Sequence, residues 1–260
     1  MRVVVCIKQV FDPASVRVSS RGELDTREGV LTVNAADLCA LEDALKLKDE
    51  HQAEVIVLTL GGPQAEDALR EALAMGADRA VLLSDRALEG SDAHGVSYAL
   101  ACAIGVIGNV DLVLTGVRSS DDGGGQVGPH IAEMLGLPQI TSAYSLSVHG
   151  DRATAIQVFE DGARRLSVPL PAVVTIPEQS NRPRLAHVAS IMNVYKEGSV
   201  EMWGVADISA DAGRLGAEGT LTVVRRSFAP EPAVKGDILT GTAKEAAAAL
   251  AACLRKRGLI

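Results

Sequence analysis

The chain has 260 residues, 47% hydrophobic and 22% charged, a length that suits one large α/β domain or one domain with an appendage. That hydrophobicity excludes a disordered chain, and a net charge of −8 argues against general nucleic-acid binding. Three Phe, three Tyr and one Trp are too few rings to stack bases along a strand or to enclose a flavin unaided.

In chain order, residues 3–7 form a continuous apolar run, as expected of a strand buried on both faces of a parallel sheet. The first eight residues are too short an apolar run for a secretory signal, and no stretch approaches the roughly 18 apolar residues of a membrane span. Leu38, Leu41, Ala44, Leu45 and Leu47 are spaced for a helix over 34–50, with Asn34 or Asp37 as its cap. A second strand covers 54–60 and ends at Gly61-Gly62-Pro63, and a helix follows with Ala65, Ala68, Leu69, Ala72, Leu73 and Met75 on its apolar positions. Strands are predicted at 79–83 and 111–116, separated by a helix over 91–107 capped by Ser91. Another helix, 126–135, stops at Gly136-Leu137-Pro138. From Leu146 the pattern alternates, so 153–158 and 164–168 read as a hairpin around Glu160-Asp161-Gly162, and 171–176 as one more buried strand.

This alternation implies a Rossmann-like α/β fold: a mostly parallel, doubly wound sheet with helices on both faces, plus a β-hairpin. Residues 1–178 make the domain. Beyond Pro177 the rhythm is lost, with isolated anchors at Val188, Ile191, Met192 and Trp203, and an Ala-rich helix near the end. Residues 179–260 are therefore expected to form an extended C-terminal arm that docks on a partner.

No acid, base or nucleophile set is visible. Cys6, Cys39, Cys102 and Cys253 lack paired spacing and read as buried, reduced thiols of a cytoplasmic protein. The five histidines are never paired at i, i+4, so no metal site is expected. Gly95-Val96-Ser97-Tyr98-Ala99 mimics a nucleophile elbow, but it lies inside a predicted helix rather than at a strand-to-helix turn.

The sharpest local signal is the loop from Thr115-Gly116 through Asp121-Asp122-Gly123-Gly124-Gly125 to Gln126-Val127-Gly128-Pro129. It joins a strand end to a helix start, where backbone N–H groups and the helix dipole favour an anion. It suits phosphate or pyrophosphate, against a merely flexible connection. It is neither a Walker A loop nor a GxGxxG fingerprint. Asp121 and Asp122 could be metal ligands, but a ribose contact or a helix-start cap is favoured over that. In doubly wound sheets ligands sit outside the carboxyl ends of strands, so Lys8-Gln9, Asn34 and Gly61-Gly62 should face the same crevice.

At these residues the chain resembles the β subunit of electron-transfer flavoprotein. The resemblance rests on Val5-Cys6-Ile7-Lys8-Gln9-Val10, Val33-Asn34-Ala35-Ala36-Asp37, Leu69-Arg70-Glu71-Ala72-Leu73-Ala74-Met75-Gly76-Ala77-Asp78-Arg79-Ala80, Gly125-Gln126-Val127-Gly128-Pro129, Leu170-Pro171-Ala172-Val173-Val174-Thr175 and Asn181-Arg182-Pro183-Arg184. It implies a heterodimer with an α subunit, electron exchange with dehydrogenases or a quinone reductase, and an adenine nucleotide held by this chain. That nucleotide would be AMP in ordinary members and the adenylate half of a second FAD in bifurcating ones. The implied pocket comprises Cys6, Lys8, Asn34, Leu60, Gly61, Gly116, Asp121, Gly123, Gly124, Gly125, Gln126 and Val127. Val188, Ile191 and Met192 would meet the redox partner. The run from Val81 to Arg86 with Gly90-Ser91-Asp92 looks like the bifurcating or nitrogen-fixation-associated type. That type usually reads Asp-Gly-Asp-Thr-Ala before Gln-Val-Gly, whereas this chain has Asp121-Asp122-Gly123-Gly124-Gly125, leaving backbone contacts only. Two other classes share this architecture. A self-dimerising stress or signalling module would need no arm, and an adenylating enzyme would carry a Ser-Gly-Gly-x-Asp-Ser type loop where this chain has Lys8-Gln9-Val10-Phe11-Asp12.

Overall fold

The computed structural model describes residues 1–19, 24–226, 228 and 236–260. Its elements begin with β1 (Arg2–Cys6), β2 (Gln9–Phe11), β3 (Arg17–Val18), β4 (Leu24–Asp25), β5 (Leu31–Val33), α1 (Ala35–His51), β6 (Glu54–Leu60) and α2 (Glu66–Met75). They continue with β7 (Arg79–Leu83), α3 (Ala93–Ile107), β8 (Leu112–Gly116), α4 (Val127–Leu135) and β9 (Gln139–Ile140). Last come β10 (Ala143–His149), β11 (Arg152–Phe159), β12 (Gly162–Pro169), β13 (Ala172–Ile176), α5 (Val188–Glu197), β14 (Glu201–Trp203) and α6 (Ala243–Lys256).

Strand β1 shows why the fold forms. Val3 and Val5 pack to one face of the sheet, Val4 and Cys6 to the other. All three valines are fully buried, and each burial contributes about 2 kcal/mol. A strand apolar on both sides is stable only inside a sheet covered on both faces. It lies there, in a seven-stranded sheet of order β14-β7-β6-β1-β8-β13-β9. Every neighbouring pair in that sheet is parallel. Helices α1 and α2 cover one face, α3 and α4 the other.

The chain moves from β1 outward to β6 and β7, then returns to lay β8 on the other side of β1. The switch point therefore falls between β1 and β8, and the loops leaving their carboxyl ends diverge there. Between β1 and α1 the chain makes an excursion that closes on itself, β2 pairing antiparallel with β5. This returns Asn34 to Lys8, whose carbonyl accepts the Asn34 N–H at 2.9 Å. Strands β10, β11 and β12 form a separate antiparallel meander, the anticipated hairpin with one strand more.

Three expectations are corrected. Helix α3 is capped by Asp92, not Ser91: its carboxylate accepts from the His94 and Gly95 amides at 3.1 Å, while the Ser91 hydroxyl accepts from the Gly216 amide at 2.7 Å. Residues 179–220, expected as the first part of the docking arm, belong to the main compact unit. They supply α5 and the edge strand β14, and Ile208 and Leu215 are buried against the α3 side of the sheet. The sequence division at 178/179 thus falls inside a compact unit that continues to Arg226. Strand β14 is three residues long, too short to register as a period, which is why it reads as irregular. Third, Cys6 and Cys39 are buried, but Cys102 is only partly covered and Cys253 is exposed.

A second unit holds α6. A capping box between Thr242 and Glu245 starts this helix, and none of its residues is buried. Residues 227 and 229–235 of the anticipated arm lie outside the described residues. Among the described residues no helix is long and apolar enough to cross a membrane.

Candidate functional site

One buried carboxylate ties the switch point together. Asp37, in the first turn of α1, is 6% exposed. One of its oxygens accepts the Lys8 N–H at 2.7 Å, the other the Gly116 N–H at 3.0 Å. These amides lie at the carboxyl ends of β1 and β8, so a single side chain spans the two strands at the point where they part. Burial raises the Asp37 pKa to about 7, although hydrogen bonds from Asn34, Lys8 and Gly116 and the Lys8 charge oppose the shift. Burial, then the Asp37 charge, pushes the Cys6 thiol up to about 12, so it stays protonated and unreactive.

The sign of the Asp37 effect follows from linkage. With its pKa higher in the folded state, the native protein keeps a proton between about pH 4 and 7 that the unfolded chain has lost. Its stabilising contribution is present in acid and is lost as pH rises through that window, by as much as about 4 kcal/mol. Unfolding in urea from pH 4 to 7.5 should show this decline in the wild type and a flatter profile in Asp37→Asn. Parallel profiles would refute the assignment.

The glycine-rich loop is held from both sides. Asn34 stands at the start of α1 but does not cap it. Its amide nitrogen donates to the Arg118 carbonyl at 3.0 Å, and its oxygen accepts the Ser120 N–H at 3.2 Å. The Lys8 ammonium contacts Asp121 at 2.7 Å and Asp122 at 3.5 Å. Partial burial works to raise the Asp121 carboxyl, but hydrogen bonds from Lys8 and Ser119 outweigh it and hold the group below the usual range. Neither aspartate caps α4, a correction to one of the roles considered for them. The Gly123 N–H donates to the Ser119 carbonyl at 3.0 Å and the Gly124 N–H to Asp122 at 2.8 Å. Two of the three glycine amides therefore close the loop on itself, while Gly125 leads into α4.

These elements enclose a cavity of about 340 Å³ at the switch point. Of the anticipated residues, Cys6, Lys8, Leu60, Gly116, Gly125, Gln126 and Val127 line it. Asn34 and Gly123 face a neighbouring cavity across the loop, Asp121 adjoins through Lys8, and Gly61 and Gly124 line neither. The walls include Ile7, Val96, Leu100 and the first turn of α3, which the sequence reading did not include. Apolar walls from Leu60, Val96 and Leu100 suit a flat base. The α4 N-terminus carries no side-chain cap, and Gly125 and Gln126 beside it are exposed, so its amides can serve an anion. Ser97 is buried and donates to the Ala93 carbonyl at 2.5 Å, so it is a helix residue and no elbow.

On the α2 side of the sheet, α5 carries Val188 (74% exposed), Ile191 (40%) and Met192 (54%). Its root is tethered to α1. Arg184 pairs with Glu42 at 2.9 Å and Asp49 at 2.8 Å, and the Asn181 amide donates to Asp43 at 2.8 Å. These carboxylates, Glu42 first, hold the Arg184 guanidinium charged far beyond any ordinary pH.

Residues 23–208 match the electron transfer flavoprotein domain family. The chain is 40% identical to the electron transfer flavoprotein subunit beta of Clostridium acetobutylicum, covering the whole of both chains. It is 39% identical to the caffeyl-CoA reductase-Etf complex subunit CarD of Acetobacterium woodii, again over the whole of both. Identity to protein FixA of Azorhizobium caulinodans is 43%, over 88% of this chain and 85% of that relative. Similarity at this level over the full length of both chains establishes that the chain belongs to the electron transfer flavoprotein family, with its kinship among the β subunits.

Proposed function

We propose that the chain is the β subunit of a heterodimeric electron-transfer flavoprotein. In this reading the switch-point cavity grips the adenylate part of a nucleotide, that of FAD in a bifurcating type. The observation that carries it is the cavity itself: apolar walls, an uncapped α4 N-terminus, and a glycine at position 125 held at φ +65° where a side chain would be strained. Cys6, Leu60 and Val127 would flank the base. Gly116, Gly125 and Gln126 would let backbone approach phosphate or ribose. Lys8, Asn34, Gly61, Asp121, Gly123 and Gly124 would shape the loop around it.

A bound flavin would supply all the electron chemistry. This chain contributes grip, orientation and exclusion of water, consistent with its lack of an acid, base or nucleophile set in sequence. Residues 179–260 supply the partner-facing parts: α5, presenting Val188, Ile191 and Met192 to a dehydrogenase or quinone reductase, and the C-terminal arm, which docks on the α subunit. The name of the Acetobacterium woodii relative, a subunit of a caffeyl-CoA reductase complex, supports an acyl-CoA-linked partner. A cytoplasmic location accompanies this reading.

Purification with the α subunit tests it. Denaturing the complex and separating the released nucleotides should give two flavins per heterodimer for the bifurcating type. One flavin plus AMP would indicate an ordinary member. A stable homodimer that ignores the α subunit and releases no adenine nucleotide would overturn the proposal.

A further inference from the structure

Helix α5 poses a physical problem. It has ten residues, and isolated helices shorter than about 12 residues are marginal in water. Packing scarcely supports it: Ser190 and Val194 are half-buried, and its other described side chains are exposed. Its N-cap residue, His187, makes no side-chain cap. Yet its far end is held by one side chain from a different element. Arg70 of α2 donates from Nη1 to the carbonyls of Val194 at 3.0 Å and Gly198 at 3.3 Å. Its Nε and Nη2 donate to Glu66 at 3.0 and 2.6 Å, and its guanidinium carbon lies 5.3 Å from the centre of the Tyr195 ring.

Each contact serves the same end. The last carbonyls of a helix carry partial negative charge; that of Val194 accepts the Gly198 N–H at 3.0 Å and keeps a second lone pair for a cation that also hydrogen-bonds it. Glu66 fixes the direction of the guanidinium on α2. Its fork satisfies acceptors on two elements at once, which the single ammonium of lysine cannot do in that geometry. The turn is tight as well, since a Cβ on Gly198 would stand 2.6 Å from the Val194 carbonyl oxygen.

We propose that Arg70 is a positioning residue for partner docking: it clamps the C-terminal end of α5 to α2, so that Val188, Ile191 and Met192 form a preset apolar face. The inference rests on the reading above that this face meets a redox partner. It goes further in naming what sets the face, a side chain that never touches the partner. A face populated in its docking geometry only a tenth of the time binds about tenfold more weakly, with no change in the chemistry that follows.

The test uses the complete αβ complex and an acyl-CoA dehydrogenase that turns over with the wild type. Arg70→Gln should speed amide exchange across residues 188–197 about tenfold. It should also raise the KM for the dehydrogenase by a similar factor, leave kcat within about twofold, and leave bound nucleotide unchanged. Arg70→Lys should fall between the wild type and Arg70→Gln. Val188→Ser, which alters the face but not the clamp, should raise KM without faster exchange. Unchanged exchange in Arg70→Gln overturns the clamp. A KM raised by Val188→Ser but not by Arg70→Gln overturns the positioning role alone. A KM untouched by either variant overturns the partner assignment of α5 and the positioning role with it.

Discussion

Gly116→Ala is expected to lower stability by about 3 kcal/mol, lower the melting temperature by about 10 °C, and strip nucleotide from the αβ complex. The added Cβ would run into the Asp37 carboxylate and lie 2.9 Å from the Ala36 Cβ and 3.0 Å from the Ala36 carbonyl carbon. Neither neighbour can retreat easily. Ala36 is part of the α1 backbone, and Asp37 is fixed by the Lys8 and Gly116 amides that it accepts. Relief would require α1 to move from the sheet, breaking those bonds and leaving two amides near the cavity unpaired. Gly105 in α3 is the control. A Cβ there meets nothing within 4 Å, so Gly105→Ala should be neutral or stabilising by up to about 1 kcal/mol. Thermal unfolding of both variants, with absorbance of the released nucleotide, checks the pair. A Gly116→Ala melting temperature within about 2 °C of wild type would show that the two strand ends are not braced as described.

Gly125→Val should leave the sheet intact but cost the complex most of its nucleotide. Gly125 sits at φ +65°, a region that a β-branched residue occupies only under strain of about 1–3 kcal/mol. The new Cβ would also stand 3.2 Å from the Val117 carbonyl oxygen, at the base of the loop. The loop can relieve both by swinging outward, which withdraws backbone from the cavity. Because Asn34 and Lys8 hold the other side of the loop, the damage should stay local, with a melting temperature loss much smaller than for Gly116→Ala. Nucleotide retained at the wild-type level would mean that this glycine is not part of the cradle.

The two variants differ in how visible their logic is in the chain. That Gly125 lies beside a helix start suited to an anion can be read from a strand, three glycines and a helix in succession, all within one local stretch. The collision at Gly116 cannot. It depends on Asp37, 79 positions away, which reads in isolation as a candidate helix cap. Asn34 likewise stands at the cap position, and only its contact with Arg118, 84 positions on, shows that it holds the loop instead. Arg70 sits within a motif that carries the family resemblance, yet its acceptor at Val194 is 124 positions distant.

The buried strands were legible because a doubly covered parallel strand must be apolar at every position, and Val3, Val4 and Val5 announce that without reference to any other residue. Helices α1, α2 and α4 were legible from their own periods and stop signals, and the family resemblance from the order of its motifs. Strand β14 and helix α5 were not, since one is too short to have a period and the other buries almost nothing that would impose one. Local backbone physics wrote the elements and the glycines into the chain. Which amide meets which carboxylate at the switch point, which loop amides remain available to a ligand, and what holds α5 in place arise only when distant segments close on one another.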